Sequence, residues 1–257
     1  MRSDGNGIGI VGLGVALPEQ VRTNDYWTRA PERYPDLFGH GDPMRGTVER
    51  RVLEPERDSV DLEVEACRAA LASCGAAVDD VRVMIGASGT PTWIEPGNHV
   101  RVARRLALPP ATLTLSTLSA CAVAVPQLEV GVRTLAGYPG GLALMYQSSV
   151  YTRTLDDGMV LAPLVGDGAV AEVLGPVPAG LGFVGARHAV RTEFADAIVV
   201  GRPQGRWYDA GERIVVGIDD REAARDMIRR SPELAAEVCL GLLSDHGLRP
   251  ADVAAFV

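Results

Sequence analysis

The 257-residue sequence predicts an α/β protein whose sheets are covered by helices. Short apolar runs typical of buried strands alternate along the chain with stretches whose apolar residues recur at helical spacing. Apolar residues make up 47% of the sequence, which is enough material for a sizeable core. A segment that begins near residue 67 also recurs, weakly, near residue 239. These three observations predict a layered α/β protein built from a duplicated unit.

The charge balance excludes several kinds of partner and chemistry. The chain has 25 basic and 33 acidic residues, a net charge of −8, and no basic cluster that would neutralise a run of phosphates. We therefore expect no nucleic acid partner. Every basic residue is Arg and none is Lys, which excludes a Schiff-base mechanism.

One stretch is long and apolar enough to be tested as a membrane span. Leu106 to Leu128 carries no formal charge. It contains Pro109, Pro110 and Pro126 as well as several Ser and Thr residues, so a core strand followed by a buried helix is the better prediction. The N-terminus, Met1 to Gly7, lacks the basic and apolar regions of a signal peptide. We therefore expect a cytoplasmic protein with no membrane partner.

The predicted elements follow in an order that suits these layers. A polar, Pro-rich insertion from Glu19 to Arg57 separates the first strand from the first long helix, which Asp58 or Ser59 caps and Gly75 ends. The buried stripe of that helix is Val60, Val64, Cys67 and Leu71. Strands are predicted at Ile8 to Leu17, Val81 to Ala87, Ala111 to Ser116, Leu142 to Ser148 and Ala169 to Leu174. Later helices are predicted from about Gly97 to Ala107 and, buried and almost uncharged, from Ala122 to Ala136.

The repeat extends through a predicted helix, turn and strand without a gap. Its matched pairs are Cys67 and Cys239, Leu71 and Leu243, Gly75 and Gly247, Asp80 and Asp252, Val81 and Val253, and Ile85 and Val257. We therefore divide the chain into a complete first copy, residues 1–178, and an incomplete second copy, residues 179–257. Because the chain stops within the predicted strand Asp252 to Val257, we expect either a fragment or a chain that needs a partner polypeptide.

The four cysteines form no CxxC pair and have no His at ligand spacing, so no metal site and no disulfide framework is predicted. Cys67, Cys74 and Cys239 lie on predicted buried stripes, and we expect them to be inert core thiols. Cys121 differs because it lies where a strand gives way to a helix. Backbone N–H groups and the helix dipole at that position stabilise a thiolate, so Cys121 is the candidate nucleophile. The alternative is a small core residue at the end of a strand.

Three motifs resemble the ketosynthase III family, the β-ketoacyl-acyl-carrier-protein synthases III and their acyltransferase relatives. They are Leu17-Pro18-Glu19-Gln20-Val21-Arg22-Thr23-Asn24, Leu118-Ser119-Ala120-Cys121-Ala122, and Gly166-Asp167-Gly168-Ala169 followed by Glu172-Val173-Leu174. The resemblance implies a thiolase-like, five-layered α-β-α-β-α sandwich of two duplicated halves, the second incomplete here. It also implies that Cys121 takes an acyl group from a coenzyme A or carrier-protein phosphopantetheine thioester, with no permanently bound cofactor. Family members pair through the strand before the nucleophile, so a homodimer through Ala111 to Ser116 is expected.

The other catalytic groups of the family, a His in a Pro-His-Gln-type motif and an Asn, would follow the point where this sequence ends. None of His40, His99, His188 and His246 matches that motif. The repeat places His246 on a helix, where we expect a C-terminal cap. His99, near Trp93, is the His most able to approach a cleft.

Two further features, a pair of arginines and a Gly-Asp-Gly motif, are each open to two interpretations. Arg45 and Arg51 fall where the family has basic residues that meet the coenzyme A nucleotide, although a solvated surface Arg is the better interpretation for either residue. The Trp that the family has nearby is absent. Gly166-Asp167-Gly168 is either a tight hairpin turn or a turn that borders the chamber of the nucleophile.

We therefore predict an acyl-transferring enzyme of specialised metabolism, such as polyketide biosynthesis. Fatty-acid starter enzymes of the family place a Gly after the nucleophile, whereas this chain has Ala122-Val123 and then Pro126, which we expect to alter the acyl pocket and bend the helix. Condensation with a malonyl-type carbon and transfer to a hydroxyl or amine both stay open. The alternative is a non-catalytic, partner-dependent subunit that lacks the C-terminal His and Asn, and the retained Cys121 argues against it.

Overall fold

The structure is a computed structural model that describes residues 7–39, 41–118, 120–201, 206 and 214–256. The predictions for His40, Ser119 and Val257 therefore lie outside the described residues. The chain divides into two compact units, Met1–Phe183 and Val184–Val257.

Nine strands form three sheets in the described residues. They are β1 Gly7–Ala16, β2 Val21–Thr23, β3 Glu49–Arg51, β4 Val81–Ser88, β5 Leu113–Ser116, β6 Leu142–Ser149, β7 Gly168–Val177, β8 Val199–Gly201 and β9 Val215–Gly217. The main sheet has the order β1-β7-β6-β4-β5, in which β4 runs parallel to β5 and β6 while β7 is antiparallel to β6 and β1. The predicted strands of the first copy are confirmed, with β5 starting two residues later than predicted.

Six α-helices accompany these strands in the described part of the chain. They are α1 Asp25–Thr28, α2 Pro35–Phe38, α3 Ser59–Ser73, α4 Asn98–Leu106, α5 Ala124–Leu135 and α6 Arg221–Asp245. Asp58 caps α3 through a reciprocal capping box with Asp61, and Gly75 follows the helix with a φ of +65°. Both predicted boundaries of α3 are confirmed.

α3 lies unusually close to β1 because two glycines of that strand face the helix. A Cβ at Gly12 would lie 2.5 Å from the carbonyl oxygen of Ala70, and one at Gly14 would lie closer still to that of Ala66. The face of α3 that meets the sheet therefore packs directly against the backbone of β1. The stripe predicted from Val60 to Leu71 is buried. The opposite face of β1 differs, since its apolar side chains, including Leu13, are exposed.

α5 covers the other face of the sheet over β4 and β6, but it is not the fully buried helix that the sequence predicts. It buries Gln127, Gly131 and Leu135, whereas Val125 is 54% exposed. The position of Pro126 in α5 also gives no physical reason for the predicted bend. Pro126 occupies the first turn of α5, where a backbone N–H would have no intrahelical acceptor, so a proline there removes no helical hydrogen bond.

The insertion after β1 forms a small substructure with its own apolar cluster. β2 and β3 pair antiparallel, and Trp27, Leu37, Met44 and Ala162 pack together beneath them. Arg50 is buried beside this cluster with its guanidinium 4.7 Å from the Trp27 ring centroid. Burial lowers the pKa of Arg50 from its ordinary value.

The second unit contains β8, β9 and α6, and it corrects two predictions. Cys239 is exposed, because α6 buries only Ala224 among its residues. The predicted strand from Asp252 is absent: residues 250–252 form a 3-10 turn, and residues 253–256 pair with no strand among the described residues. An extended segment becomes a strand only when a neighbour supplies hydrogen bonds. Within the described residues, no helix is both long and apolar enough to cross a bilayer.

Candidate active site

The candidate nucleophile lies at the carboxyl ends of the parallel strands, where open α/β sheets usually bind ligands. β4, β5 and β6 end at Ser88, Ser116 and Ser149. Cys121 follows β5 in a 3-10 turn, Ala120–Ala122, and is exposed. The sequence predicted that the helix would start beside this residue, but α5 begins three residues later, at Ala124, and no side chain caps its N-terminus.

Tyr151 is the aromatic side chain that the structure brings towards Cys121. It opens the 3-10 turn Tyr151–Arg153 after β6, and its ring is half-buried. Its hydroxyl lies over Gly89, because a Cβ on that glycine would be 2.7 Å from the oxygen. Burial raises the pKa of Tyr151, and the negative charge of a Cys121 thiolate raises it further. The phenol and the thiol are therefore within electrostatic range of each other.

Asp167 is a buried junction and not the tip of a tight hairpin, so the hairpin interpretation is wrong. β6 and β7 are antiparallel neighbours, but residues 150–167 connect them. The Asp167 carboxylate accepts hydrogen bonds from the Leu53 N–H at 2.8 Å, the Thr152 N–H at 3.1 Å and the Thr152 hydroxyl at 2.6 Å. Its own N–H donates to the Arg51 carbonyl oxygen at 2.8 Å. The residue joins the insertion to the turn that holds Tyr151.

Glu63 forms a second buried polar cluster, on the α3 side of the sheet. Its Oε1 accepts hydrogen bonds from the hydroxyls of Ser88 at 2.6 Å and Ser148 at 2.5 Å. The Asn98 amide donates to both carboxyl oxygens, at 3.0 and 3.1 Å. Burial raises the pKa of Glu63, and these donors oppose that effect. The cluster ties α3 to the ends of β4 and β6 and to the start of α4.

The sequence itself marks Glu63 as unusual, although Glu63 is not among the site residues predicted from it. Glu63 lies three residues after Val60 and four before Cys67, so it occupies the predicted buried stripe itself. A carboxyl group at such a position requires buried hydrogen-bond donors. Tyr151 carried no comparable signal, because its approach to Cys121 depends on how two loops from different strands meet.

The two arginines predicted to meet coenzyme A lie in the insertion. Arg45 is exposed, has a left-handed φ of +46°, and makes no hydrogen bond or ion pair with the described residues. Arg51 is half-buried and donates to the carbonyl oxygens of Pro18 at 3.3 Å and Glu19 at 3.4 Å. Their role stays a prediction.

An open groove of about 530 Å³ lies in the same insertion, and neither predicted arginine lines it. Three other guanidinium groups do, those of Arg22, Arg29 and Arg33. Arg22 lies 4.2 Å from the ring centroid of Tyr26 and 3.4 Å from a carboxylate oxygen of Asp157. Arg22 and Arg29 are ion-paired with Asp157 and Asp25, so the groove combines arginines with carboxylates.

The three described histidines take separate positions in the fold. His246 is the C-cap residue of α6, as predicted, and His188 is exposed. His99 lies near the start of α4, where burial lowers its pKa and its Nδ1 has no hydrogen-bond partner among the described residues. Among those residues no group of three or more His, Cys, Asp and Glu side chains is placed to hold a metal ion.

Comparison of the sequence and of the fold with known proteins finds similar synthases in both cases. The chain is 29% identical to acetoacetyl CoA synthase NphT7 from Streptomyces sp. (strain CL190), over 96% of this chain and 75% of that protein. It is 26% identical to a β-ketoacyl-[acyl-carrier-protein] synthase III from Nitratidesulfovibrio vulgaris (strain DP4), over 94% and 74%. The fold resembles the crystal structure of the priming β-ketosynthase from the R1128 polyketide biosynthetic pathway, with a TM-score of 0.78 and 21% identity over 100% of this chain and 75% of that one. No family model matches the sequence.

Proposed function

We propose that this chain, which is similar in sequence to ketosynthase III proteins and has a thiolase-like fold, is an acyl-transferring enzyme whose acyl-accepting nucleophile is Cys121. The observation that supports this assignment is the position of the thiol. It is exposed, it lies beyond the carboxyl end of β5, and it precedes a helix whose N-terminus no side chain caps. Of the four cysteines, only Cys121 combines these three properties.

The proposed reaction begins with attack of the Cys121 thiolate on the carbonyl carbon of an acyl-coenzyme A or acyl-carrier-protein thioester. A bond forms from Sγ to the acyl carbon, the bond from that carbon to the donor sulfur breaks, and the donor leaves as a thiolate. Backbone N–H groups around the turn and the positive end of α5 would stabilise the oxyanion, and one such donor contributes about 3 kcal/mol of barrier lowering. The acyl group then passes to the carbon that a malonyl-type thioester frees by losing CO2, or to a hydroxyl or amine that gives up its proton. In each case the bond from Sγ to the acyl carbon breaks and the Cys121 thiolate is regenerated.

Support for a role in specialised metabolism comes from the residues after the nucleophile. Ala122 and Val123 replace the small turn of the fatty-acid starter enzymes, and Tyr151 adds a half-buried phenol nearby. Arg45, which is exposed, and Arg51 are proposed to meet the phosphates of coenzyme A. Arginine suits that task because its planar fork binds phosphate oxygens in pairs.

We also propose a homodimer through β5. This strand pairs with β4 on one side only among the described residues, and it carries no formal charge. An uncharged edge strand promotes pairing with another strand. Light scattering at micromolar concentration is expected to give twice the chain mass, and a stable monomer would contradict the proposal.

Acyl loading tests the nucleophile directly. The protein is incubated with a series of acyl-coenzyme A esters of increasing chain length, and intact-mass spectrometry is expected to show one added acyl group. Cys121→Ala should abolish this adduct, and Cys239→Ala, which removes the other fully exposed thiol, should leave it intact. An adduct that survives in Cys121→Ala would refute the assignment. No adduct with any ester would favour the non-catalytic subunit.

A further inference from the structure

Gln127 is a fully buried amide in the mostly apolar layer between α5 and the sheet. Its neighbours in that layer are aliphatic side chains such as Ile85, Met145 and Leu174. A buried amide without partners is costly, so its hydrogen bonds show what it holds in place. Nε2 donates to the Thr117 hydroxyl at 2.9 Å and to the Ile85 carbonyl oxygen at 3.5 Å.

The bond to Thr117 closes the segment on which Cys121 lies. Thr117 is the first residue after β5, and Gln127 belongs to α5, so the bond joins the two ends of residues 117–127. Thr117 is itself anchored, since its N–H donates to the Gly86 carbonyl oxygen at 2.9 Å. Both ends of the segment are therefore fastened to β4, and Cys121 lies between them.

The orientation of the Gln127 amide is set by Gln147 of β6, which lies on the same face of the sheet as α5. Gln147 donates through Nε2 to the Gln127 Oε1 at 2.5 Å and to the Glu172 Oε2 at 3.1 Å. Both N–H bonds of the Gln147 amide are then used, and Gln127 must accept with its oxygen. Its nitrogen is left to face Thr117. Gln147 therefore donates in both directions, to Glu172 and to Gln127, and Gln127 in turn donates to Thr117.

We propose that Gln127 is a positioning residue for Cys121. Its hydrogen bonds fasten both ends of residues 117–127 to β4. The turn that carries the thiol is thereby held in a fixed position relative to the first N–H groups of α5. The proposal rests on the proposed function only in naming Cys121 as the reactive thiol. The amide touches neither the thiol nor a substrate in this arrangement, and it acts through Thr117.

The test uses a pair of variants that differ in one hydroxyl. Thr117→Val removes the acceptor of the Gln127 amide while keeping the side-chain shape, and Thr117→Ser restores it. Gln127→Leu removes the amide itself. Ser73→Ala is the control, because it deletes a side-chain hydrogen bond to Leu13 at a distant part of the same unit. The readout is the rate at which iodoacetamide labels Cys121 relative to Cys239 in the same sample, followed by peptide mass spectrometry.

We expect Thr117→Val and Gln127→Leu to lower the labelling ratio of Cys121 to Cys239 by about fivefold, the equivalent of one hydrogen bond of about 1 kcal/mol. Thr117→Ser and Ser73→Ala should stay within twofold of the unaltered protein. Where acyl loading occurs, its rate should fall in the same variants with the half-saturating ester concentration unchanged. A ratio that Thr117→Val and Gln127→Leu leave within twofold, or that Thr117→Ser lowers as much as Thr117→Val, would overturn the proposal. Alkylation needs no acyl chemistry, so this result stands even if the protein accepts no acyl group.

Discussion

The two copies of the internal repeat end in the same way and are packed differently. The C-cap residues of α3 and α6 are Cys74 and His246, and the glycine that follows each has a φ of +65° or +67°. A 3-10 turn then follows in both copies, over residues 78–80 and 250–252. Yet Cys67 is buried and its counterpart Cys239 is exposed.

This difference separates what a local sequence determines from what its neighbours determine. Helix, glycine stop and turn form in both copies because each depends on residues a few positions apart. Burial of the helix and formation of the next strand occur only in the first copy, where α3 lies against β1, β7 and β6 and Val81 begins a paired strand. In the described part of the second unit no sheet covers α6 in this way.

The largest expected difference between the copies is in the cost of deleting a core side chain. Leu71 is buried in the first copy, and its counterpart Leu243 is half-buried. Leu71→Ala should lower the free energy of unfolding by about 2–5 kcal/mol, because it leaves a cavity in a packed core. Leu243→Ala should cost less than about 1 kcal/mol. Urea denaturation followed by circular dichroism measures both, and equal losses would show that the second copy is packed like the first.

The reactivity of the two equivalent thiols, Cys67 and Cys239, tests the same difference in burial. Burial raises the pKa of the Cys67 thiol well above its ordinary value, so it stays protonated as well as shielded at neutral pH. We expect iodoacetamide to label Cys239 on the order of 100-fold faster than Cys67, which reacts only after local opening. Time-resolved peptide mass spectrometry measures the two rates in one sample. The earlier expectation that Cys239 is inert is not retained, and comparable rates would indicate that α3 opens readily.

We expect the carboxyl group of Glu63 to make the free energy of unfolding depend on pH, an effect that has no equivalent in the second copy. Burial raises the pKa of Glu63 in the folded protein, whereas the equivalent position of the second copy is Ala235. The folded state then binds the proton more tightly than the unfolded state. The stabilisation is complete below the unfolded pKa of about 4.3 and is lost as pH rises through the folded pKa.

Glu63→Gln should therefore flatten the decline of unfolding free energy with rising pH, by at most about 1.4 kcal/mol per pH unit. Denaturation of both proteins at a series of pH values, taken as a difference, removes the contributions of all other groups. Ala235→Glu is the matched control and should add no such slope, because residue 235 is exposed. A difference between Glu63→Gln and the unaltered protein that does not vary with pH would contradict the assignment.

The smallest expected difference concerns the two helix-ending glycines. A Cβ at Gly75 or at Gly247 would meet no atom within 4 Å, so an alanine there changes only the backbone conformational energy. Both glycines have left-handed φ values, and each Gly→Ala change should cost about 1 kcal/mol. Thermal unfolding of the two variants measures the costs. If Gly75→Ala were much more harmful than Gly247→Ala, the turn itself would depend on packing.

The sequence predicts most of the fold and the place of the nucleophile, and the failures have physical reasons. Periodicity located the helices and strands of the first copy because each pattern is local. It failed for Asp252 to Val257, since a strand needs a partner that the pattern does not contain. The Asp167 junction was read as a hairpin because the Asp-Gly pair is a turn signal, while its acceptor role depends on Leu53 and Thr152 from remote segments.

The buried polar groups were the other features that the sequence analysis did not predict. Glu63 was detectable as a carboxyl group within an apolar stripe, but its donors, Ser88 and Ser148, come from the ends of two separate strands. Gln127 carried a weaker signal, one amide among the apolar residues of the first turns of α5. Which atoms it bonds depends on the register of β4 and β6, which no short-range pattern specifies.

The Asp167 junction has a consequence for synthesis on the ribosome. The carboxylate that receives the Leu53 N–H is 114 residues further along the chain, and the Arg50 guanidinium bonds to the Pro163 carbonyl oxygen at a similar remove. At about 5–20 residues per second, the ribosome takes roughly 6 to 23 s to supply those acceptors. Throughout that interval the nascent insertion has emerged without the groups that later anchor it. Its exposed apolar cluster around Trp27 is then a natural place for a chaperone to bind, and a slower codon before residue 163 would lengthen that window.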